Sequence, residues 1–184
     1  STIAFLSKVL MCAGKKVHIY TSPHLIEVTE RFIIRNNRIS YKKLFETLDY
    51  CLEINNGDLI TQFELLTCIA FLLMSRSKAD VAIIETGLGG RLDATNVVQK
   101  PLLNIITSIS IDHTEFLGNT LELIANEKAG IIKNNTFCIS APQNPVVEKI
   151  IVNKCAEKNS TLIVCNKTNN FKETKDGFEI KGLN

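Results

Sequence analysis

The stretch "VAIIETGLGGRLDATN", Val81 to Asn96, decides how this chain is read. Its first four residues are uniformly apolar, as in a short buried strand. The strand ends on a carboxylate, Glu85, and three glycines follow at Gly87, Gly89 and Gly90. Arg91, Asp93, Thr95 and Asn96 complete the segment. A buried strand that runs into a charge and a glycine-rich loop suits a parallel sheet, where ligands bind at the carboxyl ends of strands. The glycines let backbone approach a ligand closely. A dinucleotide fingerprint is weak here: the loop holds G-x-G, but position 92 is Leu where G-x-G-x-x-G needs a third glycine.

Helical and extended patterns alternate on either side. Residues 1–13 read as a helix with Ile3, Leu6, Leu10 and Met11 on one stripe, stopped at Gly14. Lys16 to Thr21 reads as a strand, and "VTERFIIRNNRIS" as extended chain with a turn at Asn36-Asn37. Helices are expected over 41–55 and 62–77, the second apolar enough to be buried. Strands follow at Asp80–Ile84 and Asn104–Ile111, a helix at 119–132, a strand at Phe137–Ser140, a helix at 145–158 and a strand at Leu162–Cys165. Asp176-Gly177 signals a closing hairpin. This order implies an α/β fold, a mainly parallel sheet flanked by helices. The chain begins inside a helix, where such a domain normally has a strand first.

The bulk numbers fit a soluble globular domain. The 184 residues are 45% hydrophobic and 22% charged, a length that suits one domain. A net charge of +2 with dispersed basic residues gives no reason to expect nucleic acid. The six cysteines form no C-x-x-C pair, which suggests neither zinc nor a redox motif and fits a reducing, cytoplasmic setting. The opening segment lacks the basic start of a signal peptide. Leu65 to Met74 is too short to span a bilayer, so no membrane role is expected.

Chemistry collects after the strands. Ser22 follows "KVHIYT", Glu85 follows "VAII", and Asp112-His113 follows "IITSISI". A hydroxyl, a carboxylate and an imidazole at three strand ends suit Mg²⁺ with its phosphate ligands, although histidine is a less usual partner for that ion. Each has a plainer reading: Ser22 can open a turn before Pro23, Glu85 can be a surface charge, and Asp112-His113 can cap a helix. Lys128 lies at i+7 from Leu121 and i+4 from Ile124, which puts an ammonium on an apolar stripe. It either snorkels to solvent or points into a site, and as a carbamate it would offer oxygen ligands.

"SPHL…ERF" (Ser22–Leu25, Glu30–Phe32), "ETGLGGRLDATN" (Glu85–Asn96), "DHTEFLG" (Asp112–Gly118) and "EKAGIIK" (Glu127–Lys133) together resemble the dihydrofolate synthase / folylpolyglutamate synthase family of the Mur ligase superfamily. The resemblance covers most of the chain. It implies a P-loop NTPase-like central domain and an ATP-dependent amide ligase. Such an enzyme joins L-glutamate to dihydropteroate or a reduced folate through an acyl phosphate. It implies Mg²⁺ held by Ser22, Glu85 and His113, and a carbamylated lysine at Lys128. It further implies a pterin site lined by Thr61, Gln62, Phe63 and Glu64 and by Leu92, Asp93 and Ala94. Phe63 and Glu64 can equally be the start of a buried helix.

The family's phosphate loop reads G-T-N-G-K-G-[ST], and Ser1 matches only its last position, where it would touch ATP. On this reading, residues 1–184 are part of the ATPase domain, without the family's C-terminal glutamate-binding domain, and are expected to be inactive alone. The intact enzyme is expected to be a cytoplasmic monomer. Two alternatives stand beside it: a non-catalytic remnant of a split or decayed gene, and a Mur-type ligase acting on a muropeptide.

Overall fold

The computed structural model describes residues 2–165, 171–175 and 177–180. The chain forms two compact units. The first holds Ser1–Leu88 with Asp93–Thr95, the second Gly89–Leu92 with Asn96–Asn184. The glycine loop therefore supplies residues to both.

In the first unit, α1 (Thr2–Cys12) leads to β1 (Val17–Tyr20). Ile3, Leu6, Leu10 and Met11 form the half-buried side of α1, as their spacing predicts. A 3-10 turn (Val28–Arg31), β2 (Phe32–Ile34) and β3 (Asn37–Arg38) follow. The β2–β3 turn centres on Arg35 and Asn36, both with positive φ, one residue earlier than the expected Asn36-Asn37. The register Ile34↔Asn37 leaves those two residues to make the turn.

Helices α2 (Tyr41–Asn55) and α3 (Gln62–Ser75) then lead to β4 (Val81–Ile84), which pairs parallel with β1, Tyr20 opposite Ile84. The sheet order is β3-β2-β1-β4. Its core gathers Tyr20, Phe32, Leu44, Leu66, Ile69, Ala70 and Leu73. Only one face of α3 is buried, although the helix is apolar nearly all round; Cys68 is exposed.

The second unit holds a parallel sheet of order β5-β6-β7: Leu103–Ile106, Phe137–Ser140 and Thr161–Val164. Helix α6 (Pro145–Glu157) connects β6 to β7. Between β5 and β6, the helix expected at 119–132 is two helices, α4 (Thr114–Leu117) and α5 (Leu121–Ala129). They are separated at Gly118, whose φ is 97°, and Thr120 caps α5 by accepting from the Leu123 N–H. The core gathers Ile106, Ile124, Ile132, Cys138, Val147, Ile151 and their neighbours.

Strand β5 is shorter than the apolar run suggests, ending at Ile106 rather than Ile111. Gln143 explains the difference. Its Oε1 accepts from the Ile109 N–H (2.9 Å) and its Nε2 donates to the Thr107 carbonyl (2.9 Å). A side chain thus satisfies backbone that a neighbouring strand would otherwise pair. The hairpin β8 (Phe171–Thr174) and β9 (Gly177–Ile180) pairs Thr174 with Gly177. Asp176, half of the expected turn signal, lies outside the described residues, as does Ser1.

The α/β class and the helix-flanked parallel pairing are as the sequence implies. The described strands nevertheless form three sheets, and the first mixes parallel with antiparallel pairs because β2 and β3 fold back beside β1.

Candidate functional site

Because β1 and β4 run parallel and in step, the residues just beyond them emerge at the same edge. The Glu85 N–H donates to the Tyr20 carbonyl (2.9 Å), extending the ladder by one bond. The Ser22 N–H donates to Glu85 Oε2 at 2.9 Å. Ser22 and Glu85 are half-buried, and the Ser22–Pro23 peptide is cis. A carboxylate oriented by a backbone donor beside a serine hydroxyl is an oxygen-donor pair of the kind Mg²⁺ takes.

The rest of "SPHL…ERF" builds that edge. The Glu30 carboxylate accepts from the Leu25 N–H through Oε2, from the Glu27 N–H through Oε1, and from the Ile26 N–H through both oxygens. Arg31 Nε donates to His24 Nδ1 at 2.9 Å. The acidic and basic residues of this motif thus fold the loop on itself, a role that sequence reading missed. Leu25 and Ile26 are left 94% and 86% exposed, an apolar rim beside the carboxylate edge.

In the glycine loop, Asp93 is the organising residue. Its Oδ2 accepts from the N–H groups of Gly87 (3.0 Å) and Leu88 (2.8 Å), and its Oδ1 from the N–H and hydroxyl of Thr95. Ala94 begins a short 3-10 turn behind it. Leu92 is 79% exposed, open to a ligand.

The glycines serve packing within the protein. A β-carbon at Gly87 would lie 2.7 and 2.8 Å from Phe63 Cε1 and Cε2, and one at Gly90 would lie 2.7 Å from the Glu127 carbonyl oxygen. Both contacts are impossible for a real side chain. The expected close approach exists, but its partners are a phenyl ring and a helix terminus.

Phe63 is half-buried and stacks on Tyr20, with ring centroids 6.3 Å apart. Thr61 and Glu64 form a capping box at the start of α3: the Glu64 N–H donates to Thr61 Oγ1, and the Thr61 N–H and hydroxyl donate to Glu64 Oε2. The Thr61 hydroxyl bond comes first in holding the Glu64 carboxyl below its ordinary range, followed by the backbone bond. Gln62 is exposed at the first position of the helix. Thr61 and Glu64 thus start α3, while Phe63 is left half-buried beside the glycine loop.

His113 and Lys128 belong to the second unit. His113 precedes α4 in a left-handed conformation, its side chain about half exposed, and its N–H donates to Asp112 Oδ1. It lies seven residues beyond Ile106, so it leaves a loop rather than a strand end. Lys128 sits half-buried in the last turn of α5, on the stripe with Ile124, which is fully buried.

"EKAGIIK" is latched to the glycine loop. The Arg91 N–H donates to the Glu127 carbonyl, and Arg91 Nε to Glu127 Oε1. Asn96 Nδ2 donates to the carbonyls of Arg91 and Gly130, and Lys133 Nζ donates to the Asn96 carbonyl. Among the described residues, no three His, Cys, Asp or Glu side chains gather as a metal cluster, and no helix is long and apolar enough to cross a membrane.

Fold and edge define an α/β chain whose parallel strands present oxygen donors next to a glycine loop. Residues 34–181 match the Mur ligase middle domain, and the chain belongs to that family. It is 43% identical over 162 residues to the dihydrofolate synthase/folylpolyglutamate synthase of Bacillus subtilis, covering 82% of this chain and 36% of that protein. Two solved structures share the fold. One is E. coli FolC in complex with DHPP and ADP, 35% identical with a TM-score of 0.83, covering 94% of this chain and 43% of that one. The other is the Yersinia pestis bifunctional folylpolyglutamate synthase/dihydrofolate synthase complexed with AMPPNP and Mn ion. It is 36% identical with a TM-score of 0.82, covering 94% of this chain and 41% of that one. The chain thus spans less than half the length of these relatives.

Proposed function

We propose that this chain forms part of the ATPase domain of an ATP-dependent amide ligase that joins L-glutamate to dihydropteroate, to a reduced folate, or to both. The observation that carries this reading is the Ser22–Glu85 pair, set side by side at the carboxyl ends of two parallel strands. The enzyme acts as a monomer in the cytoplasm. Mg²⁺ is held by the Ser22 hydroxyl, the Glu85 carboxylate and the His113 imidazole, and when bound it neutralises charge on the phosphate oxygens of ATP. Ser1 ends the phosphate loop.

The chemistry has two displacements. A substrate carboxylate oxygen attacks the γ-phosphorus and ADP leaves; the glutamate amine then attacks the acyl carbon, phosphate leaves and the nitrogen loses a proton. The protein's own residues orient and shield these groups. The Ser22 N–H fixes the Glu85 carboxylate. Lys128, as a carbamate, adds negative oxygens on the α5 side, and Phe63, Leu92 and Ala94 offer apolar surface to the pterin. Thr61, Gln62, Glu64 and Asp93 complete the lining of that site, with Thr61, Glu64 and Asp93 also bonded to the chain around them.

Residues 1–184 contain no G-T-N-G-K-G segment, and on this proposal they show negligible turnover alone. The test is ATP- and glutamate-dependent turnover of dihydropteroate and of a reduced folate by a chain extended to include that segment and the glutamate-binding domain. Glu85→Gln in that chain is expected to lower kcat/KM at least about a hundredfold. Undiminished turnover in Glu85→Gln, or robust turnover by residues 1–184 alone, would defeat the proposal.

A further inference from the structure

The Asp93 carboxylate has both oxygens engaged by its own chain. Oδ2 receives two successive backbone N–H groups, Gly87 at 3.0 Å and Leu88 at 2.8 Å. Successive N–H groups aimed at one point form a concavity that favours an anion, and here the protein fills it. Oδ1 receives the N–H and the hydroxyl of Thr95, at 2.9 and 2.6 Å. Gly87 is also blocked from another direction, because the Phe63 ring sits where its β-carbon would be. Glu85, two residues ahead of Gly87, is held at its own N–H by the Tyr20 carbonyl. The segment between Glu85 and Leu88 is thus tied at both ends, and Asp93 makes the second tie.

We propose that Asp93 is a positioning residue: it clasps the Gly87 and Leu88 peptides so that Glu85 is presented to the metal in one geometry. The clasp rests on the hydrogen bonds alone, and its consequence for the metal rests on the reading of Glu85 given above. Asparagine at this position keeps the size but has a single acceptor oxygen, so it can serve the Gly87–Leu88 pair or Thr95 but not both.

The test uses residues 1–184 with two readouts that need no turnover: amide hydrogen exchange at Gly87, Leu88 and Thr95, and Mn²⁺ affinity by electron paramagnetic resonance. Asp93→Ala is expected to speed exchange at Gly87 and Leu88 about tenfold or more, the loss of bonds to a charged acceptor. It is expected to weaken Mn²⁺ binding about tenfold, as loss of an orienting group around a metal ligand does. Asp93→Asn is expected to fall between wild type and Asp93→Ala in both readouts, a graded rescue, and it carries the test if the alanine variant does not fold. Glu85→Gln should abolish Mn²⁺ binding and leave the exchange pattern intact. Unchanged exchange in both Asp93 variants overturns the clasp. Faster exchange with unaltered Mn²⁺ affinity overturns its link to the metal. If Glu85→Gln binds Mn²⁺ as wild type does, the reading of Glu85 fails, and the link to the metal with it, while the exchange data still decide the clasp.

Discussion

At Gly87 a phenyl ring occupies the place of a side chain. Any β-carbon there meets Phe63 Cε1 and Cε2 at 2.7 and 2.8 Å. The ring has little room to retreat, because it stacks on Tyr20, which in turn stacks on Phe32 at 5.5 Å. Gly87→Ala should therefore cost about 1–3 kcal/mol, the usual cost of forcing extra volume into a packed region. At Gly90 the nearest obstacle is backbone, the Glu127 carbonyl oxygen at 2.7 Å, with Ile131 Cγ2 at 2.9 Å and the Lys128 carbonyl oxygen at 3.0 Å behind it, so that trimming Ile131 leaves the backbone clash in place. The two glycines should differ in rescue. Phe63→Leu should recover part of the stability lost in Gly87→Ala, whereas no side-chain truncation should recover Gly90→Ala. Urea denaturation of the single and double variants measures both. Equal non-additivity at the two sites would contradict these assignments.

At the scale of elements, the ends of helices are where sequence and structure agree best. Ser40 caps α2 by accepting from the Lys43 N–H at 3.2 Å, and the helix ends at Asn56 in the left-handed region, one residue before Gly57. Ser40→Ala should cost about 1 kcal/mol. Glu64 adds a pH signature to α3. Its carboxyl is held below the ordinary 4.5 by its bonds from Thr61, so the folded state favours the ionised form. That stability is fully present above the unfolded value and is lost as pH falls through the lowered one. Thr61→Val, which removes the hydroxyl, should flatten the acid limb of the stability curve below about pH 4.5. An unchanged acid limb would mean the capping box does not form.

The expected bounds of α2 and the start of α3 match the structure because helix ends are set locally, here by a hydroxyl ahead of the first turn. The same holds for the oxygen donors at the ends of β1 and β4, which the apolar runs locate to the residue. What could not be read is settled by distant partners. Strand β5 ends early because Gln143, more than thirty residues on, takes its backbone bonds. Phe63 meets Gly87 across more than twenty residues, and nothing in either segment names the other. Asp93 is an intermediate case: an Asp two residues before Thr is a local turn signal, but its hold on Gly87 and Leu88 is not local.

At the scale of the whole molecule, the described residues form two apolar cores, one around Tyr20, Phe32 and Ile69, the other around Ile106, Ile124 and Ile151. Each unit with its own core can lose its packing as a unit of its own. The cysteines report on this. Cys12, Cys68 and Cys165 are exposed, Cys51 is half-buried in the first unit, and Cys138 and Cys155 are buried in the second. Burial pushes the Cys138 thiol up to about 12 and raises Cys155 as well. Only the thiolate reacts with a disulfide reagent. At pH 8, then, the exposed thiols should label at once, while Cys138 and Cys155 should wait for the second core to open. Ile151→Ala removes a side chain that is 1% exposed and should destabilise that core by about 2–5 kcal/mol. It should speed labelling of Cys138 and Cys155 and leave Cys51 as it was. Ile69→Ala, in the first core and 0% exposed, should have the opposite pattern. Labelling followed cysteine by cysteine with mass spectrometry distinguishes the cases. If either substitution speeds Cys51, Cys138 and Cys155 by the same factor, the two cores melt as one and the expectation of independent opening fails.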